Sequence, residues 1–146
     1  MAATVTRGSE SVTAAEFRDV LDRTMHELDA DERAGSILRA AGISLRLELT
    51  DLDLVVRMRA SDDPRHHLSW GFDDRGGRAR LELRMDSATA NAYLQGKESL
   101  AIAIARGRVR CTGESRVALL FLPVLRLVVE PYRRLVRERY PHLALS

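Results

Sequence analysis

The sequence has one cysteine, Cys111, and one lysine, Lys97, in 146 residues. A lone thiol cannot close an intramolecular disulfide, so the fold must rest on its core, and a reducing, cytoplasmic setting is expected. Long hydrophobic runs are missing as well. The opening MAATVTRGSES carries no apolar targeting segment, and no stretch approaches the ~20 apolar residues that span a bilayer. An excess of one charge is also absent: 23 basic residues face 21 acidic ones, a net of +2 despite a pI near 9.1. That is not the dense basic footprint of a nucleic-acid binder, and no nucleic-acid partner is expected. Arginine in place of lysine, with abundant alanine and leucine, suggests a GC-rich bacterial source. What is present is apolar mass: 45% hydrophobic residues give a chain of this length one real core.

Residues 1–12 read as a flexible lead and 13–146 as a single domain. In TAAEFRDVLDRTMHEL, Thr13 stands three residues before Glu16, the spacing of a capping box, and Phe17, Val20, Leu21 and Leu28 fall on one helical face. Asp29 and Glu32 repeat that spacing before a second helix, which Gly42 is suited to end. The period then changes to two. Ile43, Leu45, Leu47 and Leu49 alternate with polar residues, as do Leu52, Leu54, Val56 and Met58, and a tight connection at Thr50 and Asp51 predicts a hairpin. HHLSWGFD and RARLELRMD alternate in turn, with Gly76-Gly77 between them read as another hairpin turn.

Four such strands, each with one apolar and one charged face, predict a sheet covered on one side only. SATANAYLQG is a short helix that Gly96 closes. KESLAIAIARG is a second, apolar around most of its circumference and so expected to be buried. RVRCTG supplies a fifth strand, with Val109 and Cys111 facing one way. A helical extension from about residue 123 is broken by Pro123 and Pro131, where kinks or separate segments are expected. The fold class is therefore α+β, a five-stranded antiparallel sheet with helices packed on one face.

From Ala79 to Leu122 the order is a strand ending at Met85-Asp86, a short helix, Gly96-Lys97, a helix, Gly107-Arg108-Val109-Arg110, then Gly113-Glu114 and an apolar helix. This order resembles the sterol carrier protein 2 family of lipid-binding domains. The chain departs from the family where Glu98-Ser99-Leu100, not asparagine-proline, follows Lys97, where Ile104-Ala105-Arg106 precedes Gly107, and in the extension beyond Leu122. Its terminal ALS is not a peroxisomal address. The resemblance implies an internal apolar cavity that binds a lipid-like ligand such as a fatty acid, acyl-CoA, phospholipid or isoprenoid, with no metal and no cofactor. On this reading the cavity is lined by Trp70, Phe72, Leu83, Met85, Tyr93, Leu94, Leu100, Ile104, Val109, Val117, Leu120, Phe121 and Val124. The same residues also suit a core filled by its own side chains.

Other residues admit sharper and plainer readings. His66 and His67 lie near Asp62, Asp63, Asp73 and Asp74, but neighbours on a strand point to opposite faces and do not ligate one ion easily. Cys111 and His26 have no orienting third residue, so Cys111 reads as a structural thiol and no catalytic residue is expected. The alternative is an isomerase or cyclase of an apolar metabolite, with Tyr93, Cys111 and Thr112 as the nearest polar candidates. Arg126, Arg133, Arg134, Arg137 and Arg139 are interleaved with Glu130 and Glu138, as on a solvated helix face. The stripe Val117, Leu120, Phe121, Val124 and Val128, widened by Leu119, Leu122, Leu125 and Val129, exceeds what one packing face requires. A ligand, a homodimer partner or a transient membrane contact is expected to cover it.

Overall fold

The computed structural model describes residues 12–72 and 77–146. The flexible lead expected over 1–12 therefore lies outside the described residues up to position 11, as do Asp73, Asp74 and Gly76; Val12 packs into the core. Helix α1, Ala14–Ala30, begins with the expected capping box: the Thr13 hydroxyl accepts from the Glu16 N–H, and the Glu16 carboxylate accepts from the Thr13 N–H, both at 3.1 Å. Helix α2, Glu32–Ala40, is capped by Asp31, not by Asp29 as the spacing predicts. Asp29 lies inside α1 and turns toward the sheet instead.

The strands are β1 Ser44–Leu49, β2 Leu54–Ala60, β3 Leu68–Gly71, β4 Leu81–Met85 and β5 Arg110–Gly113, and they form one sheet in the order β3-β2-β1-β4-β5. The β1–β2 hairpin is present, with Leu47 opposite Val56. The sheet is mixed, however, not antiparallel throughout: β4 runs parallel to β1, pairing Leu47 with Leu83. The β3–β4 hairpin expected at Gly76-Gly77 does not exist, because β2 and β1 stand between those two strands. Alternation assigns side chains to faces but does not say which strand is the neighbour, and a long connection frees β4 to cross the sheet. Face assignment itself holds. Leu49, Leu54, Val56, Met58, Leu81, Leu83 and Met85 are buried under the helices, while Arg59, Arg84 and Arg110 are exposed on the other side.

Helix α3, Ser87–Leu94, is capped by Asp86 and ends before Gly96, whose φ of 78° only glycine adopts without cost. Helix α4, Leu100–Ala105, contradicts its sequence: only Leu100 and Ala103 are buried, and Ile102 is 51% exposed. At six residues it is too short to bring all its faces against the core. Helix α5, Ser115–Val124, gives way just after Pro123 to a 3-10 turn, Leu125–Val128, from which α6, Val129–Arg139, continues. Pro131 sits in the first turn of α6, where its missing N–H has no helical acceptor to lose, so it breaks nothing.

The extension is part of the core. Tyr132, Leu135, Val136 and Leu143 are buried, and α6 packs along α1. The wide apolar stripe is thus covered in part from within: Val117, Phe121, Leu125 and Val128 are buried, with α5 packed on β4 and the 3-10 turn on α1. What remains open is Leu119 at 76% and Leu120 at 46% exposure.

Candidate functional site

Between the inner face of the sheet and helices α1 and α3 lies a void of about 50 Å³. The sheet supplies Leu45, Leu47, Val56, Met58, Leu83 and Met85; the helices supply Leu21, Met25, Ala90, Tyr93 and Leu94; Leu100, Leu125 and Val128 close it. Every lining side chain except Tyr93 is wholly apolar. The void is far smaller than the roughly 300–1,000 Å³ of small-molecule sites. The interior in this state is mostly filled by its own side chains, and a larger guest requires wall elements to move.

Of the residues that the resemblance assigns to a cavity, Leu83, Met85, Tyr93, Leu94 and Leu100 line this void. Val109, Val117 and Phe121 are buried in the core beyond it, with Arg80 stacked 5.4 Å from the Phe121 ring centre. Ile104 and Val124 are half-buried against that core, and Leu120 is exposed. Trp70 and Phe72 lie at the β3 edge. The Trp70 indole N–H donates to Asp22 at 2.9 Å and its ring meets His26 edge-on at 4.8 Å, while Arg18 lies 5.0 Å over Phe72. Leu45, Leu47, Val56 and Met58 line the void as well, beyond the residues that the resemblance implies, and their strand alternation puts them on the same inner face.

Tyr93 and Leu100 are shared with a second, open groove of about 800 Å³ between the α3–α4 connection and α5. Lys97, Glu98, Leu119, Leu122, Pro123 and Arg126 also line it. The Tyr93 hydroxyl is buried without a hydrogen-bond partner, a costly arrangement for a polar atom. Burial raises its pKa, and the nearby Arg126 charge offsets this only in part. Glu98 is bound to Arg108, and Glu130 to Arg133 at 3.1 Å. Among the described residues Lys97 and Arg126 have no acidic partner.

A denser polar system lies where α3 meets α6 and the C-terminal segment. Tyr132 donates to the Asn91 side-chain oxygen at 2.8 Å, and the Gln95 amide donates to the same oxygen at 2.7 Å and to the Leu143 carbonyl at 2.9 Å. The Leu145 N–H in turn donates to the Gln95 oxygen at 2.8 Å. These groups satisfy one another inside the core and fasten the C-terminal segment to α3. On the surface, Tyr140 donates to Asp19 at 2.8 Å, His142 contacts Glu16 at 2.9 Å, and Arg134 pairs with Glu27. These surface partners stand 107 to 126 positions apart and leave no local signature, so sequence reasoning missed all of them.

The histidines serve the junction of α1, α2 and β3. Asp29 accepts from the backbone N–H of His67 at 2.7 Å and of Leu68 at 3.0 Å, and contacts the His66 ring at 2.7 Å; His67 reaches Glu32 at 3.2 Å. Burial alone raises the Asp29 carboxyl, but these bonds outweigh it and hold its pKa below the ordinary 3.8. Cys111 and His26 are not brought together, since Cys111 pairs with Leu83 at the β5 edge while His26 packs on Trp70 at the β3 edge. Burial pushes the Cys111 thiol up, away from the reactive thiolate. Thr112 is exposed.

No family model matches the sequence, and no curated protein matches it either. Solved structures do. A conserved hypothetical protein of Thermus thermophilus aligns with 91% of this chain and 94% of its own, at a TM-score of 0.61 and 16% identity. Sterol carrier protein 2 of Yarrowia lipolytica, in its apo form, aligns over 80% of this chain and 92% of its own, at a TM-score of 0.56 and 12% identity. The inverting sec-alkylsulfatase Pisa1 of Pseudomonas sp. contains a similar unit, aligned over 71% of this chain at a TM-score of 0.55 and 16% identity; the match spans only 16% of the sulfatase. The fold is that of the sterol carrier protein 2 domain. No helix among the described residues is long and apolar enough to cross a membrane.

Proposed function

We propose that this protein binds a lipid-like hydrophobic ligand, one molecule per domain, between its sheet and its helices. The observation that carries the reading is the apolar void walled by the sheet, α1 and α3, with Tyr93 and Leu100 forming the partition to an open groove. The fold supports it, since structures described as sterol carrier protein 2 share it.

The energetics are adequate. Burying about sixteen methylenes at ~0.8 kcal/mol each gives roughly 13 kcal/mol, against association costs of about 4 kcal/mol or more. The surplus leaves room for an opening step that displaces part of the wall. Helix α4 is the element best placed to move, because it is short and half exposed. Exposed Ile102, Leu119 and Leu120 lie on α4 and α5, and Lys97, Arg106 and Arg126, which have no acidic partner among the described residues, bring positive charge to the same side. That combination suits transient contact with an anionic bilayer while ligand is exchanged. Binding without chemistry is the better reading than an isomerase or cyclase, because of the three polar candidates Tyr93, Cys111 and Thr112 only Tyr93 lines the void, and every other lining side chain is apolar.

The test is titration with an environment-sensitive fatty-acid probe. Wild type is expected to bind it and to release it to unlabelled fatty acid, and Leu47→Phe, which fills the void from its sheet wall, is expected to weaken binding while remaining folded. A wild type that binds no apolar probe defeats the reading.

A further inference from the structure

The face of the sheet turned away from the helices carries a charge pattern of its own. Its charged strand residues are the arginines Arg46, Arg57, Arg59, Arg84 and Arg110 and the glutamates Glu48 and Glu82. Register sets them in place. Arg57 stands directly opposite Arg46, and Arg84 directly opposite Arg110. Like charges opposed across neighbouring strands are destabilising, and an open sheet face accepts many uncharged residues, so the fold alone does not require two such pairs. Arg46 lies beside Glu82 and Glu48 beside Arg84, so the arginines follow one diagonal from Arg59 and Arg57 on β2, through Arg46 on β1, to Arg84 and Arg110 on β4 and β5. Glu82 flanks that line on one side and Glu48 on the other. At ~4.8 Å between strands and ~3.4 Å per residue, the line runs roughly 20 Å.

The negative charge along it is thin. Glu48 is shared by Arg46 at 3.3 Å and Arg84 at 3.6 Å, Arg59 meets Asp62 at 3.3 Å, and Arg57 donates to the Gly77 carbonyl. Among the described residues Arg110 has no acidic partner. Arg59, Arg84 and Arg110 are exposed, and Arg46 and Arg57 are half-buried.

We propose that this face docks an extended acidic segment of a partner protein, laid along the diagonal with its carboxylates on the arginines. Guanidinium groups match carboxylates bidentately, and an extended chain covers ~20 Å with about six residues. Glu48 and Glu82 confine the attraction to a narrow track, which the broad negative surface of a bilayer does not match. The exposed large hydrophobic residues that would enter a bilayer, Ile37, Ile102, Leu119 and Leu120, all lie on helices. Among the described residues the face has no aromatic ring on which the bases of a single-stranded nucleic acid would stack. The track lies across the sheet from the void, so it stands or falls independently of lipid binding.

The experiment is fluorescence anisotropy with a labelled peptide of about eight residues alternating glutamate and serine, its glutamine counterpart, and oligothymidylate and phosphatidylglycerol vesicles as competitors. Wild type is expected to bind the glutamate peptide about tenfold or more tighter than the glutamine peptide at low ionic strength, with the gap narrowing at about 0.5 M salt. Arg84→Gln/Arg110→Gln, which removes one opposed pair, is expected to weaken binding about tenfold and to melt at or above the wild-type temperature. Arg59→Gln, at the other end of the line, is expected to weaken it by a factor of a few. Arg33→Gln/Arg137→Gln removes the same charge from exposed positions on α2 and α6 and is expected to leave binding unchanged. Equal binding of the two peptides by wild type, an equal loss in the α2–α6 variant, or full binding by the folded Arg84→Gln/Arg110→Gln protein overturns the proposal. A double variant that melts well below wild type shows that the pair serves the fold, and overturns it too. Oligothymidylate or vesicles that displace the peptide at a lower concentration of charge than unlabelled peptide requires assign the face to another partner.

Discussion

The two ends of the helical layer are built differently. Where α1 and α3 meet α6 and the C-terminal segment, polar groups largely match one another: Tyr132, Asn91 and Gln95 close a network on the Leu143 carbonyl, Asp19, Glu16 and Glu27 of α1 each hold a partner 107 or more positions away, and among the described residues of α6 only the Arg133 Nε is buried without a partner. On the side of α4 and α5, leucines face solvent, and among the described residues Lys97 and Arg126 have no acidic partner and the Tyr93 hydroxyl is unmatched. Polar satisfaction and deep packing make a wall, while their absence marks where a structure opens at least cost. A binding protein whose interior is nearly full needs both.

The strongest way to break this contrast is to remove the wall. Truncation after Leu122 deletes the buried Leu125, Val128, Tyr132, Leu135, Val136 and Leu143, so loss of cooperative unfolding and aggregation are expected, by thermal melting and light scattering. A truncated chain that melts cooperatively shows the segment to be an appendage. A finer cut is Gln95→Leu, which strands the Leu145 N–H and leaves the Asn91 oxygen to Tyr132 and the Leu143 carbonyl to the Asn91 amide alone; a loss of about 1–3 kcal/mol in denaturant titration is expected.

Acid provides a third probe of the same side. In Asp19 and Asp29 burial alone raises the pKa, but the hydrogen bonds together, from Tyr140, Arg23 and Arg139 to Asp19 and from His66, Leu68 and His67 to Asp29, outweigh it and hold the folded pKa below 3.8. Depressed carboxylates stabilise the fold above their unfolded pKa, and this contribution is lost as pH falls through the folded value. Stability is therefore expected to decline below about pH 4, less steeply in Asp29→Asn, and an identical slope in that variant removes Asp29 from the account. The smallest effect belongs to the open side. Leu119→Ser/Leu120→Ser is expected to change stability by no more than about 0.5 kcal/mol, because neither side chain is in the core. Its binding to anionic vesicles, measured by sedimentation, is expected to fall, and unchanged vesicle binding separates these leucines from any membrane role.

The contrast also explains what the sequence discloses. The Thr13–Glu16 cap, the inward set of strand leucines and the Gly96 stop are local patterns, and each was legible. The parallel β1–β4 pairing was not, because Leu45, Leu47 and Leu49 alternate in the same way whatever strand lies beside them. Nor was the exposure of α4: an apolar sequence predicts burial, yet Ile102 and Ala101 face outward because so short a helix offers only Leu100 and Ala103 to the core. The site was legible in half. Leu83, Met85, Tyr93, Leu94 and Leu100 come from the stretch that carries the family resemblance, whereas Leu45, Leu47, Val56 and Met58 join them only through strand order.

The most direct measurement is mass spectrometry of the organic extract from protein purified without detergent. If the interior takes a lipid-like ligand, the extract contains a defined apolar species, near one molecule per chain and absent from an unrelated protein prepared in parallel. An extract without lipid above that control contradicts the account.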